Sequence, residues 1–292
     1  MTGIASLLTQ SLILSIMALG IYISYKILDF PDLSVDGSFS LGGAIIALSL
    51  TNNISPLMGT LLAILCGLIS GFVTGILHIK LKISNLLSGI LVMGMLYSIN
   101  LGIMGKSNIP LFSFSHLFNN GISPLILVII IALIFKIALD LFLTTNMGYT
   151  LKAVGDNPQM VNSLGIDIDV IQILGLMLSN ALVALSGSLY AQFQGFADIN
   201  MGTGTLILGI ASIIIGVSLF DKLNFVKATT ATIVGTIIYQ FTIYFAINLG
   251  LISPNNLKLM TSLVIILFLT LSKIPILPSK SSKKEGVTYV AN

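Results

Sequence analysis

The chain has 292 residues, of which 55% are hydrophobic and only 8% charged, and its mean hydropathy is +1.06. Soluble domains carry about a quarter charged residues, so a water-soluble globular fold is excluded. All thirteen basic residues are lysines, most of them at the edges of apolar runs, and a net charge of +3 spread this way is no nucleic-acid signature.

A helix needs roughly 20 apolar residues to cross the hydrocarbon core. In chain order the runs that meet this are 3–25, 56–79, 84–104, 123–143, 169–191, 226–247 and 257–273, with two shorter glycine-bearing runs at 37–51 and 203–220. The pattern predicts an all-α polytopic transmembrane bundle of about nine spans, with a membrane domain over 1–275 and a polar, lysine-rich cytoplasmic tail over 276–292. No basic stretch precedes the first run, which therefore reads as a mature span and not as a cleaved leader. With the N-terminus outside, ten lysines fall on the cytoplasmic side (26, 80, 82, 152, 222, 227, 273, 280, 283 and 284), whereas Lys106 and Lys258 fall outside. Positive residues favour the inner side, so the expected orientation is N-terminus out and C-terminus in.

After the first span comes "DFPDLSVDGSFSLGG" (29–43), where aspartates and Pro31 interrupt the chain. Asp36 or Ser34 can cap a helix that starts near Gly37. Non-helical backbone at depth survives only against protein or water, so this element is also a candidate lining for a solute path. Both readings are open at this point. Asp32, Ser34, Asp36 and Ser38 are candidate path residues here, with Ser98, Asn100 and Asn180 on later spans.

In 56–79 Gly67, Gly71 and Gly75 recur every four residues, and Gly94, Ser98 and Gly102 repeat the spacing in the next span. Small residues so placed let helix backbones approach closely in lipid, so these five glycines are assigned to helix packing. The run "PLILVIIIALIFKIALDLFL" has almost no small residues and is expected to face lipid; within it Lys136 and Asp140, four apart, can pair. "LGGAIIALSL" (41–50) and "LGIASIIIGVSL" (208–219) are similar and run oppositely in this topology, which is the trace of inverted repeats.

Catalytic and metal chemistry find no footing. "NLGIMGKSN" (100–108) ends like a phosphate-binding loop, but Asn100 stands where the first glycine is required and no strand precedes it. His78 and His116 are far apart, and Cys66 is alone, so no metal site is expected. No nucleophile motif is present either, and an enzyme is not expected.

The polar passage 144–168 separates two long apolar runs. Asn157 is a good N-cap, Pro158 suits the first helical position, and Gly165 can end the helix in a left-handed cap. This predicts a two-turn helix over 158–164 with Met160, Val161 and Leu164 on one side, too short to persist without something to dock against.

"MGYTLKAVGDNPQMVNSLGID" (147–167) resembles the G-r-x-l-x-A-x-G-x-N-x-x-A-a-x-x-x-G-I signature of bacterial ABC importer permeases of the branched-chain amino acid and ribose type. "LSVDGSFSLGGAIIA" (33–47) and "SNALVALSGSLYAQFQG" (179–195) resemble segments of the same family, in the same order. The chain departs from the signature at Tyr149, where arginine is usual, and at Met160–Val161, where alanines are usual. The resemblance implies a permease subunit that works as a homodimer or pseudo-dimer. Cytoplasmic ABC ATPase subunits would carry the ATP and Mg, and an extracytoplasmic substrate-binding protein would deliver the solute. It implies that 144–168 is the loop received by the ATPase, with Gly148, Leu151, Lys152, Ala153, Gly155, Asn157, Pro158, Met160, Val161, Leu164, Gly165 and Ile166 as its residues. "FPDLSVDGSF" is nearest a subgroup associated with aromatic amino acids such as tryptophan or tyrosine. The runner-up is an ion-coupled secondary transporter, which would use intramembrane carboxylates.

Overall fold

The computed structural model describes residues 3–119, 121, 123–220 and 226–248, together with 262, 263, 266 and 270. It is a helical bundle. The helices are α1 (Gly3–Ile21), α2 (Ser34–Thr51), α3 (Pro56–Ile79), α4 (Asn85–Met104), α5 (Pro124–Phe142), α6 (Asn146–Asp156), α7 (Pro158–Ser163), α8 (Ile168–Gln194), α9 (Thr205–Phe220) and α10 (Ala228–Asn248). The last turns of the first span, Tyr22–Ile27, wind as a π-helix. Among the described residues seven helices are long and apolar enough to cross a membrane and α9 is a shorter apolar one. The expected ninth span, 257–273, lies outside the described residues except at 262, 263, 266 and 270. The expected tail lies wholly outside them.

Helix ends follow local chemistry. Pro56 occupies the first turn of α3 behind Ser55, whose side chain accepts from Met58 N at 3.4 Å. Pro124 does the same for α5 behind Ser123. Asp167 caps α8 by accepting from Asp169 N at 3.0 Å and Val170 N at 3.4 Å. α8 stops at Gly195, whose φ of +77° a side chain would resist. The chain then pairs as a short ribbon: β2 (Phe196–Asp198) runs antiparallel to β1 (Asn108–Pro110), Ile109 opposite Ala197.

The register of contacts gives the relative directions. α1 and α8 are antiparallel: the Ser186 hydroxyl donates to Ile13 O at 2.7 Å, while Gly20 lies on Ser179 and Val183. α2 runs with α8, Ser38 meeting Asn180 and Gly42 meeting Ala184 and Ser188. α9 and α10 are antiparallel, with Gly216 on Ala231 and Gly235 on Ser212, and α10 returns along α1 so that Gly3 meets Tyr244. α2 and α9 therefore run in opposite directions, as the expected topology has them. Neither spans like α8. Ser34 lies beside Asn180, about 18 Å (twelve residues at 1.5 Å) from the start of α8, so α2 begins in the interior of the bundle.

α3, α2 and α8 form the packed centre. A Cβ on Gly67, Gly71 or Gly75 would overlap α8 at Asn180 O, Leu176 O and Ile173 respectively, so these three glycines pack as expected. Gly94 and Gly102 do not: among the described residues nothing lies within 4 Å of a Cβ at either. Four-residue spacing marks a smooth stripe, but whether another helix of the same chain uses it depends on how the helix is rotated. α5 is the most exposed span, with its large side chains directed outward. Lys136 pairs with Asp140 at 2.8 Å as its spacing predicts, and Asp140 also holds α10 through Lys227 at 3.3 Å and the Thr229 hydroxyl at 2.6 Å.

The two ends of the bundle differ in charge. α6 and α7 lie at one end with Lys26, Lys80, Lys82, Lys152 and Lys227, and the β1–β2 ribbon lies at the other with Lys106.

Candidate functional site

Two groups of residues stand apart from the apolar packing, one in the centre of the bundle and one at its lysine-rich end.

The central group is built where α2 begins. After the π-helical turns, Asp29 takes a left-handed conformation (φ 52°) and the chain turns back into the bundle. The helix starts at Ser34, three residues before the expected Gly37. Its first amide is satisfied by Asp32, whose Oδ1 accepts from Ser34 N at 2.8 Å. Asp32 is fully buried, and its other oxygen accepts from Asn180 Nδ2 at 2.9 Å. Asn180 Oδ1 accepts from the Ser38 hydroxyl at 2.7 Å and the Ser34 hydroxyl at 3.3 Å, and Ser38 is 2.7 Å from the Ser70 hydroxyl. Ser70 is the member that sequence reasoning assigned to no path; its position one residue before Gly71 on the packed face of α3 was the available signal. Among the described residues no lysine pairs with Asp32. The α2 N-terminus, whose amides carry partial positive charge, stands beside it instead.

Asp36 does not cap its own helix. Its carboxylate reaches across to the start of α9, accepting from Gly204 N at 2.8 Å, the Thr205 hydroxyl at 2.8 Å and Leu206 N at 2.9 Å. Ser40 Oγ, one turn on, accepts from Gly202 N at 3.0 Å. The segment 202–206 is thus fastened to the first turns of α2, and two oppositely directed helices meet by their N-termini inside the bundle. A partly polar cavity of about 670 Å³ opens beside this junction, lined among others by Gln10, Phe39, Tyr190, Thr203 and Gln240.

The remaining path candidates divide. Asn100 is buried and donates to Gly37 O at 3.2 Å, so it packs α4 on α2. Ser98 is exposed and joins none of these contacts. It lies two residues from Asn100, about 200° around the helix at 3.6 residues per turn, and so faces away from the network that Asn100 joins.

The second group spans 145–168. The expected helix is present as α7, capped by Asn157, whose Oδ1 accepts from Met160 N at 3.0 Å, and followed by Gly165 at φ +77°. α6, which precedes it, is a helix that the sequence pattern does not predict. Thr145 caps α6 by accepting from Gly148 N at 3.3 Å. The expected single apolar side is corrected: Val161 is buried in the main core, whereas Met160 and Leu164 are 61% and 67% exposed. Gly148, Leu151 and Gly155 are also turned inward. Gly148 lies on Phe142 and Leu143, and Gly155 lies against Ile27 O so closely that a Cβ would overlap it. Lys152 donates to Leu143 O at 3.2 Å, and Ala153, Pro158 and Ile166 are exposed. A seated face and a free face result. The seated residues fix α6 and α7 to the bundle, and Tyr149, Met160 and Leu164 are left to the water.

Comparison with known proteins fits this arrangement. Residues 3–270 match the family described as branched-chain amino acid transport system / permease component. The chain belongs to this permease family. It is 68% identical over 284 residues to the tyrosine transport system permease protein of Clostridioides difficile (strain R20291), covering 97% of this chain and 96% of that one. It is 38% identical over 276 residues to an uncharacterized protein of Rickettsia prowazekii, covering 91% and 96%. It is also 30% identical over 230 residues to the autoinducer 2 import system permease protein LsrC of Photorhabdus laumondii, covering 76% and 65%. No solved structure matches. The permease is a transmembrane subunit of an ATP-binding cassette importer, a multi-pass protein of the bacterial plasma membrane that works with ATPase and binding-protein partners.

Proposed function

We propose that the permease imports an amino acid, with tyrosine or a similar aromatic amino acid as solute, and that α6–α7 receives the force of a partner ATPase. The solute reading is supported by the 68% identity to the tyrosine transport system permease protein. The coupling reading is carried by one observation: a capped two-turn helix, seated by Val161, presents Met160 and Leu164 to water at the lysine-rich end. Exposed apolar side chains on so short a helix are costly unless a partner covers them. In this reading the lysine-rich end is cytoplasmic, the N-terminus is outside and the C-terminus inside. The working unit is a homodimer over 1–275, and ATP and Mg belong to the ATPase. Asp32, Ser34, Asp36, Ser38 and Asn180 hold the interior of each copy beside the solute path.

The test is co-purification and ATP hydrolysis in the reconstituted complex. Met160→Glu with Leu164→Glu should insert normally and lose the ATPase, because two charges would enter an apolar contact. Gly165→Val should keep some binding but reduce solute-stimulated hydrolysis, since a β-branched residue strongly disfavours φ +77°. Unchanged ATPase retention and unchanged stimulated hydrolysis in both variants would make 145–168 a mere connection.

A further inference from the structure

On the face of the bundle turned to lipid, α5 packs chiefly on α1 and leaves a continuous groove between α3, α5 and the floor of α8. Three cavities form it end to end. The first, about 360 Å³, shares Ile64 and Phe135 with the second, about 340 Å³, which in turn shares Phe142 and Leu178 with the third, about 200 Å³. Along α8 the floor runs from Leu189 to Ile171, about 27 Å at 1.5 Å per residue, close to the ~30 Å of a hydrocarbon core. The lining is apolar almost throughout, with Thr60 as the one hydroxyl-bearing side chain among the described residues.

The groove ends against Met147 and Leu151 of α6. Lys152 is next in sequence to lining residue Leu151, and its ammonium donates to Leu143 O at 3.2 Å, one residue beyond lining residue Phe142. The acids on the adjoining elements are Asp156 on α6 and Asp167 and Asp169 at the start of α8, and Asp167 is turned onto the Asp169 and Val170 amides.

We infer that this groove is a binding site for an anionic phospholipid of the α6-side leaflet, its acyl chain along α8 and its phosphate at Lys152. The medium at this depth is hydrocarbon, so an apolar groove open to it is filled by a chain and not by water. Each buried methylene adds to the affinity, and Lys152 supplies a positive charge at the α6 end of the apolar lining, where the headgroup layer begins. The bound chain forms part of the seat of α6, so its occupancy bears on the coupling element of the proposed function; the site itself requires only that the bundle spans a membrane.

The experiment is native mass spectrometry of the full-length permease in detergent, titrated with phosphatidylglycerol or phosphatidylcholine. The parent should retain one phospholipid per chain and prefer phosphatidylglycerol. Ala138 lines the middle cavity and is exposed, so Ala138→Trp can fill the groove without entering the core. Displacing about two methylenes should weaken retention of both lipids about tenfold. Ala138→Leu should give a smaller loss, which covers the case that the larger variant is unstable. Lys152→Gln should abolish the preference for phosphatidylglycerol while phosphatidylcholine still binds. A parent that retains no lipid, or Ala138 variants that retain it like the parent, would overturn the site. So would an Ala138→Trp variant that changes only the dimer population, since the groove would then belong to a second copy. Loss of ATPase binding in the Met160/Leu164 variant with lipid retention intact would leave this site standing, so the two readings can fail separately.

Discussion

Asp36 is the residue on which the interior turns. The start of α9 presents donors that have no partner within their own helix, and a side chain from another helix satisfies three of them. A carboxylate does this well, since hydrogen bonds to a charged acceptor are worth about 1.5–3 kcal/mol each. Asp36→Ala orphans all three donors and should lower the thermal unfolding temperature of the purified permease by far more than Asp36→Asn, which keeps one acceptor oxygen. Equal unfolding temperatures for the two variants and the parent would mean that water serves these donors in place of the carboxylate. In sequence Asp36 was legible as a helix-capping residue. Which helix it caps was not, because capping chemistry is the same for a near amide as for one 168 residues away.

At the scale of elements, the glycines separate two roles that spacing alone cannot. Gly71 stands against the backbone of α8 at Leu176, whereas Gly94 on α4 stands against nothing in the described chain. Gly71→Leu should therefore prevent assembly of the α2–α3–α8 centre and abolish monodisperse purification. Gly94→Leu should leave the fold of the single chain intact, with its protease resistance unchanged. If Gly94→Leu destabilises the chain as much as Gly71→Leu, then both helices pack through their glycine faces within one copy. α6 teaches the same lesson from the other side. Its residues include two glycines, Gly148 and Gly155, and its composition argues for no helix; it forms because close contact with Phe142, Leu143 and Ile27 rewards the missing side chains.

For the molecule as a whole, orientation is the property on which the partners depend. Asn53 lies in the turn between α2 and α3, at the end of the bundle opposite α7, and Asn162 lies on α7. In a Cys66→Ser background, Asn53→Cys should react with an impermeant thiol reagent in intact cells. Asn162→Cys should react only once the membrane is opened. The reverse pattern would put the lysine-rich end outside, where no ATPase could reach α7.

The sequence alone determined the class and the alternating direction of the described helices, because hydrocarbon forces every backbone amide into a helix and makes apolar length readable residue by residue. It also determined α7, since Asn157, Pro158 and Gly165 act on their immediate neighbours. The tertiary structure decided what depends on rotation and depth. It turned Val161 inward and Met160 outward, turned Ser98 away from Asn100's network, and began α2 halfway along α8. Those outcomes follow from which backbone lies against which, a relation between residues more than a hundred positions apart that no local pattern encodes.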